Sequence, residues 1–366
     1  MRVRCEPEDG LPRPSDRIRD GLGIPARRDS AHRRPAVAFA ALVLALAAGC
    51  NGTAEQPASN QPLAAKNQSL RIAVIPKGTT HEFWHSVHAG AEQAAQEAGN
   101  VEIIWKAALK EDEREQQINL VDDFVVQHVD GICLAPLDSQ ALVAPVQAAK
   151  QAGIPTIIFD SNLDDADSPV SYVATDNYHS GVLAAERLAE VLQSAGDVIL
   201  MRYNPGSEST LEREEGFLAT LKEKYPKINV LSSNQYAGTT PEQALDNCQQ
   251  MLLKYRDEVD GVFTVCEPNS TGMLGALDNA GLAGKVHFIA FDPNARLIEA
   301  MADGKIDGIV VQDPVNMGYL AMKAMLDHLQ GKPVERTINT GEHMATPENM
   351  HTPQMEKLLH PVKVGE

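Results

Sequence analysis

Ten short apolar runs, separated by turns and amphipathic stretches, constrain this chain more than any other feature. The first five read "LRIAVI" (70–75), "VEIIW" (101–105), "GICLA" (131–135), "PTIIF" (155–159) and "SYVAT" (171–175). The rhythm restarts with "DVILM" (197–201), "INVL" (228–231), "GVFTV" (261–265), "VHFIAF" (286–291) and "IDGIVV" (306–311). Runs this short and this rich in Val and Ile predict strands buried on both faces, as in parallel sheets. The stretches between them have helical period: Phe83, Val87, Ala91, Ala94, Ala95 and Ala98 fall on one face. In "TTPEQALDNCQQML" a helix opens with Thr240 as N-cap, Pro241 in its first turn and Gln243 completing a capping box. Strands alternating with helices make βαβ units, so the fold class is α/β. Two successive sets of about five units predict two similar Rossmann-like lobes with parallel sheets.

Open sheets of this kind bind ligands beyond the carboxyl ends of their strands. Those positions hold "PKGTTHEFW", "APLDS" and "DSN" in the first set. In the second they hold "YNPGSESTLEREEGF", "YAGTTPE", "CEPNSTG", "DPN" and "QDP". Carboxylates, an arginine, an amide and an aromatic pair therefore converge on one rim. Such a set suits an uncharged polyhydroxylated ligand. Carboxylates accept from hydroxyls, Arg and amide groups donate to them, and the opposed charges cancel. Phe83 and Trp84 would pack on the apolar C–H face of a sugar ring.

Charge and motifs exclude other classes. The formal net charge is −18, against the basic face that phosphate neutralisation requires, so no nucleic-acid partner is expected. Two carboxylates across a cleft could serve as acid and base on a glycoside. The chain has no nucleophile elbow, catalytic triad, Walker motif or dinucleotide fingerprint, however, and no enzymatic role or cofactor is expected. His81, His85 and His88 could share a helix face, but they lack carboxylate partners in sequence, so no metal is expected. The run "KEDERE" (110–115) reads as a solvated helix start, and "ATDN" (174–177) as turn chemistry.

Residues 33–50, "RRPAVAFAALVLALAAGC", pair two arginines with an apolar run too short to span a bilayer and end on small residues and Cys50. That is the layout of an export signal. The ending resembles a bacterial lipobox, with Ala47 where Leu is usual, which makes Cys50 the lipidated residue. Residues 1–49 are thus read as leader and signal, and 50–69 as a flexible tether. The charged part of the leader is long for a signal, which points to a translation start further along. Of the five cysteines, Cys133, Cys248 and Cys266 remain; an odd number without CxxC spacing predicts buried thiols, not disulfides or zinc.

From about Leu70 to Val334 the chain resembles periplasmic sugar-binding proteins of the ribose-binding type, which share a type I fold with the sugar-binding core of lactose-type repressors. Seven pieces carry the resemblance in order: "GTTHEFW", "IPTIIFD", "VATDN", "REEGF" (213–217), "GALDNAGLAG", "FIAFDPN" and "DGIVVQDP". A repressor would need a DNA-reading domain before Leu70, where the export signal stands instead. The resemblance implies three lobe crossings, near residues 175, 312 and 341. The lobes would then be 70–175 plus 313–341 and 176–312 plus 342–366, joined by a hinge. It also implies ligand contacts at His81, Phe83, Trp84, Asp160, Arg213, Asp292 and Gln312, with Cys266 and Asn269 of the "CEPN" loop facing the cleft. Three departures bear on the sugar: His81 and Cys266 stand where ribose binders have Asn, and Ser161 where they have Arg. The expected protein is a monomer of the periplasm or cell envelope, held to the membrane by its lipid. It would bind a monosaccharide and deliver it to the membrane subunits of an ABC importer. A sensor would use the same cleft but present its closed lobes to a receptor kinase or chemoreceptor.

Overall fold

The computed structural model describes residues 69–365 apart from Thr80; the export signal and Cys50 lie outside these residues. The first set of apolar runs forms β1 (Leu70–Ile75), β2 (Val101–Trp105), β3 (Gly131–Leu134), β4 (Thr156–Phe159) and β5 (Ser171–Ala174). Between them run α1 (Glu82–Ala98), α2 (Arg114–Val126) and α3 (Val143–Gln151). The chain continues through α4 (Asn177–Val191), β6 (Gly196–Arg202), α5 (Glu208–Lys224) and β7 (Ile228–Tyr236). It proceeds through α6 (Pro241–Tyr255), β8 (Gly261–Thr264), α7 (Glu267–Ala280), β9 (His287–Phe291) and α8 (Ala295–Ala302). The closing elements are β10 (Gly308–Gln312), α9 (Pro314–Leu329), β11 (Thr337–Asn339), β12 (Glu342–Ala345) and α10 (Pro353–Leu359).

The strands form two six-stranded sheets, ordered β11-β5-β4-β3-β1-β2 and β12-β10-β9-β8-β6-β7. All pairings are parallel except β10 with β12, where Gln312 faces Glu342. The central strands β3, β4 and β8 are buried at every position, as strands covered by helices on both faces must be. The chain passes from the first sheet to the second after β5, returns after β10, and crosses again between β11 and β12. These crossings lie side by side: Thr175 and Thr340 share a hydroxyl contact at 3.4 Å, and the Glu342 carboxylate meets the His179 ring at 2.8 Å.

Glycines set two of the helix contacts that aim the rim. A Cβ at Gly181 on α4 would stand 2.1 Å from the Arg213 carbonyl oxygen, and one at Gly216 on α5 2.1 Å from that of Tyr178. In the first lobe, Gly90 on α1 and Gly318 on α9 approach the Val315 and Val87 carbonyls in the same reciprocal way, each 1.9 Å from such a Cβ. Helix α6 is capped as its sequence predicts, Thr240 accepting from the Gln243 amide, but Gln243 reaches back to the Thr239 amide. The last described residues leave the second lobe. The Val364 amide donates to the His85 carbonyl at 3.2 Å and Lys363 pairs with Glu82 at 3.0 Å, placing the tail against α1.

Candidate functional site

Two aspartates occupy equivalent places in the two lobes. Asp160 follows β4 and Asp292 follows β9, and each has a left-handed backbone, φ 63° and 58°. Each amide donates to the neighbouring strand, Asp160 to the Val173 carbonyl and Asp292 to that of Val310. Left-handed backbone is sparsely populated by residues other than glycine, though Asp tolerates it, and it clusters at binding sites. The turn lifts both carboxylates off the sheet ends into the space between the lobes.

Asp160 is not free in that space. The Lys77 ammonium, from the loop after β1, pairs with its Oδ2 at 2.8 Å and also donates to Ser209 Oγ at 3.1 Å across the cleft. Both ions are buried, so the pair stands where an isolated charge would be costly. The lobes also meet through the Ser209 amide to Ser161 Oγ and the Asn162 amide to Glu208 Oε2, both 3.0 Å, and the Ser139 amide to the Gly206 carbonyl. The structure is therefore closed.

Glu111 corrects the expectation of a solvated run at 110–115. It is 5% exposed, and its carboxylate gathers three donors from both lobes. Trp84 Nε1 and His81 Nδ1 each lie 2.7 Å from its Oε1, and the Tyr203 hydroxyl, after β6, lies 2.6 Å from its Oε2. Burial opposes charge on both His81 and Glu111, but their mutual attraction prevails. The His81 pKa rises to about 9 and that of Glu111 falls to about 2, so the two form an ion pair at neutral pH.

A second chain of bonds runs across the second lobe. Arg213 Nε donates to Asn177 Oδ1 and Nη1 to the Val265 carbonyl, both at 2.9 Å, while Nη2 reaches Gln312 Oε1 at 3.3 Å. Its guanidinium lies 3.9 Å above the Phe291 ring centre. Gln312 Nε2 then donates to Asp292 Oδ1 at 2.8 Å. Burial pushes the Asp292 pKa up to about 6 despite Arg213 and Gln312, with the Asp160 and Glu267 charges adding to the rise.

His81, Phe83, Trp84, Asp160, Arg213, Cys266, Asp292 and Gln312 all line one interlobe cavity of about 40 Å³, together with Lys77, Glu111, Tyr203 and Glu267. Two of the sequence-based expectations need correction. Asn269 does not reach this cavity: it is buried one turn into α7, where its side chain donates to the Gly238 carbonyl at 2.9 Å. Trp84 is not an open platform, because its ring packs in the first-lobe core, edge-on to Phe83 and Phe159, with only its N–H edge turned to Glu111. The half-buried Phe83 remains as the aromatic wall. Cys266 caps α7 from a buried position that holds its thiol well above the ordinary range. The histidines do not converge: His81 meets Glu111, while His88 stacks on Trp105 at 4.0 Å and touches Glu92. "ATDN" does supply turn chemistry, as Asp176 caps α4, but Asn177 beside it also fixes Arg213.

Comparison with known proteins places this arrangement. The family profile described as "periplasmic binding protein domain" matches residues 72–333. The ribose import binding protein RbsB of Bacillus subtilis is 28% identical over 287 residues, covering 78% of this chain and 90% of that protein. An ABC transporter solute-binding protein from Agrobacterium vitis, solved with bound D-fucose, is 32% identical with a TM-score of 0.77, covering 79% of this chain and 100% of that one. A carbohydrate transporter solute-binding protein from Agrobacterium radiobacter, in complex with D-arabinose, is 32% identical with a TM-score of 0.76, covering 80% and 99%. With two parallel-sheet lobes, neighbouring crossings and a polar cavity between them, the chain belongs to the periplasmic binding protein family, among the type I sugar-binding proteins of ABC transporters.

Proposed function

We propose that this protein captures a monosaccharide between its lobes outside the cytoplasm and delivers it to the membrane subunits of an ABC importer. The observation that carries the reading is the pairing of charge in the cleft. Lys77 is matched by Asp160 at 2.8 Å and His81 by Glu111 at 2.7 Å, while Arg213 is matched through Gln312 to Asp292. Every cation of the cleft is thus already matched, and Glu267 adds one further carboxylate, so the site offers many donors and acceptors but no unpaired positive charge for an anionic ligand to compensate, which suits a neutral polyol. Phe83 supplies the apolar wall. D-Fucose and D-arabinose in the related structures belong to the same ligand class.

Residues 70–175 with 313–341 would move against 176–312 with 342–366 about the crossings at Thr175 and Thr340. A cavity of about 40 Å³ has room for a few water molecules, so a sugar ring enters with the lobes apart. Closure then follows from contacts that only the closed form makes to the ligand. No catalytic role is assigned, because Asp160 and Glu111 are held as ion-pair acceptors and not as an acid and a base. Cys50 would carry the lipid, with residues 50–69 as the tether of a monomeric binding unit.

A thermal-shift panel of neutral pentoses, hexoses, 6-deoxyhexoses and inositols tests the reading. A native-state ligand at 100 times its dissociation constant adds about 2.7 kcal/mol and raises the midpoint visibly. A rise with one or a few related sugars is the expected outcome, and a flat panel contradicts it. Labelling with radioactive palmitate that disappears in Cys50→Ser is expected for the anchor.

A further inference from the structure

A second chamber of about 220 Å³ adjoins the small polar cavity, and Phe83, Glu267, Asp292 and Gln312 line both. Beyond these shared groups Ile298 of α8, Pro293, Pro314 and Leu358 and Leu359 of α10 form an apolar patch, while Glu82, Asn294, His360 and Lys363 line the remainder. The chain end closes one side, with Pro361 and Lys363 over the chamber and the strap tied to α1 by Lys363–Glu82 and Val364–His85.

We infer that the chamber is a subsite for an apolar substituent on the sugar, so that the protein accepts alkyl or aryl glycosides as well as free monosaccharides. The inference rests on the sugar-binding reading above. The ring would sit among the paired charges with one oxygen directed past Asp292 and Gln312, and the aglycone would lie between Ile298 and Leu358. The 220 Å³ chamber exceeds what a lone hydroxyl or methyl would occupy, and its patch of prolines and aliphatic side chains suits hydrocarbon, with the polar Glu82, Asn294, His360 and Lys363 lining the rest.

The test is calorimetric titration of the purified full chain with each free sugar that binds, and with its methyl, butyl and phenyl glycosides in both anomers. A buried methylene is worth about fourfold in affinity, so one anomeric series should tighten progressively from methyl to butyl. Ile298→Trp, which fills the chamber from a half-buried position outside the polar cavity, should erase that gain while leaving free-sugar affinity within about twofold. Ile298→Ala, which enlarges it, should keep phenyl glycoside binding and so covers the case in which the tryptophan variant fails to fold. Glycosides that bind more weakly than the free sugar in both anomers, or a gain that survives in Ile298→Trp, would overturn the subsite. Absence of binding by every free sugar and glycoside would instead overturn the monosaccharide reading on which it stands.

Discussion

At the scale of single residues, the cleft is a set of ionic pairs whose members were unequally visible in the sequence. His81 and Glu111 give a pH signature. The folded pKa of His81 is raised from 6.5 to about 9, so its contribution is full below pH 6.5 and is lost as pH rises through about 9. The stability difference between the native chain and His81→Gln should therefore be constant from pH 5 to about 6.5 and shrink steadily toward pH 9, measured by denaturant melts; a constant difference across that range would refute the pairing. Glu111→Ala leaves His81 and the Trp84 and Tyr203 donors without their acceptor and should cost on the order of 3 kcal/mol in the same assay. Asp160, Asp292 and Gln312 were legible because they stand at the carboxyl ends of strands, where this sheet type exposes its ligand groups, and Arg213, inside α5, because the family resemblance marks it. Glu111 was not, because a carboxylate inside "KEDERE" has the local appearance of solvated surface, and only the long-range approach of Trp84 and Tyr203 buries it. Lys77 was hidden for a similar reason: a lysine reads as exposed until the structure supplies Asp160 and two serines around it. Asn269 was placed at the cleft with the rest of the "CEPN" loop by the family resemblance, whereas helix phase turns it toward the Gly238 carbonyl.

At the scale of elements, the strand–helix alternation was legible nearly throughout, since parallel strands buried on both faces leave continuous apolar runs. Strands β11 and β12 were missed. They have only three and four residues, they are half-exposed, and each pairs along one side only, so no hydrophobic run marks them. The close helix pairs are the less obvious determinant of the site. Because a Cβ at Gly181 would meet the Arg213 carbonyl at 2.1 Å, Gly181→Ala must push α5 from α4 and move Arg213 with it. Expected results are a stability loss of about 1–3 kcal/mol by thermal or denaturant melting and weaker sugar binding by titration. By contrast, Gly275→Ala on α7 meets its nearest atom, the tip of Leu245, at 3.1 Å and should leave binding unchanged. Equal effects of the two substitutions on affinity would show that α4–α5 packing does not aim Arg213.

At the scale of the whole molecule, two sheets joined at adjacent crossings form a device whose closed form is held by contacts between the lobes. Tyr203 to Glu111, Lys77 to Ser209, and the Ser209 amide to Ser161 all break when the lobes part. A ligand shifts that equilibrium only by its differential affinity for the closed form. Charge pairing predicts which ligands can do so: a neutral sugar leaves the pairs intact, whereas a carboxylated one introduces an uncompensated charge into a buried space. The most direct measurement is therefore calorimetric titration of the purified protein with the neutral sugar that gives the largest thermal shift, alongside the uronic acid of the same configuration. Saturable binding of the neutral sugar, with the uronate weaker by at least about tenfold or 1.4 kcal/mol, is the expected result. Preference for the uronate, or binding of neither, would contradict a cleft built for a neutral monosaccharide.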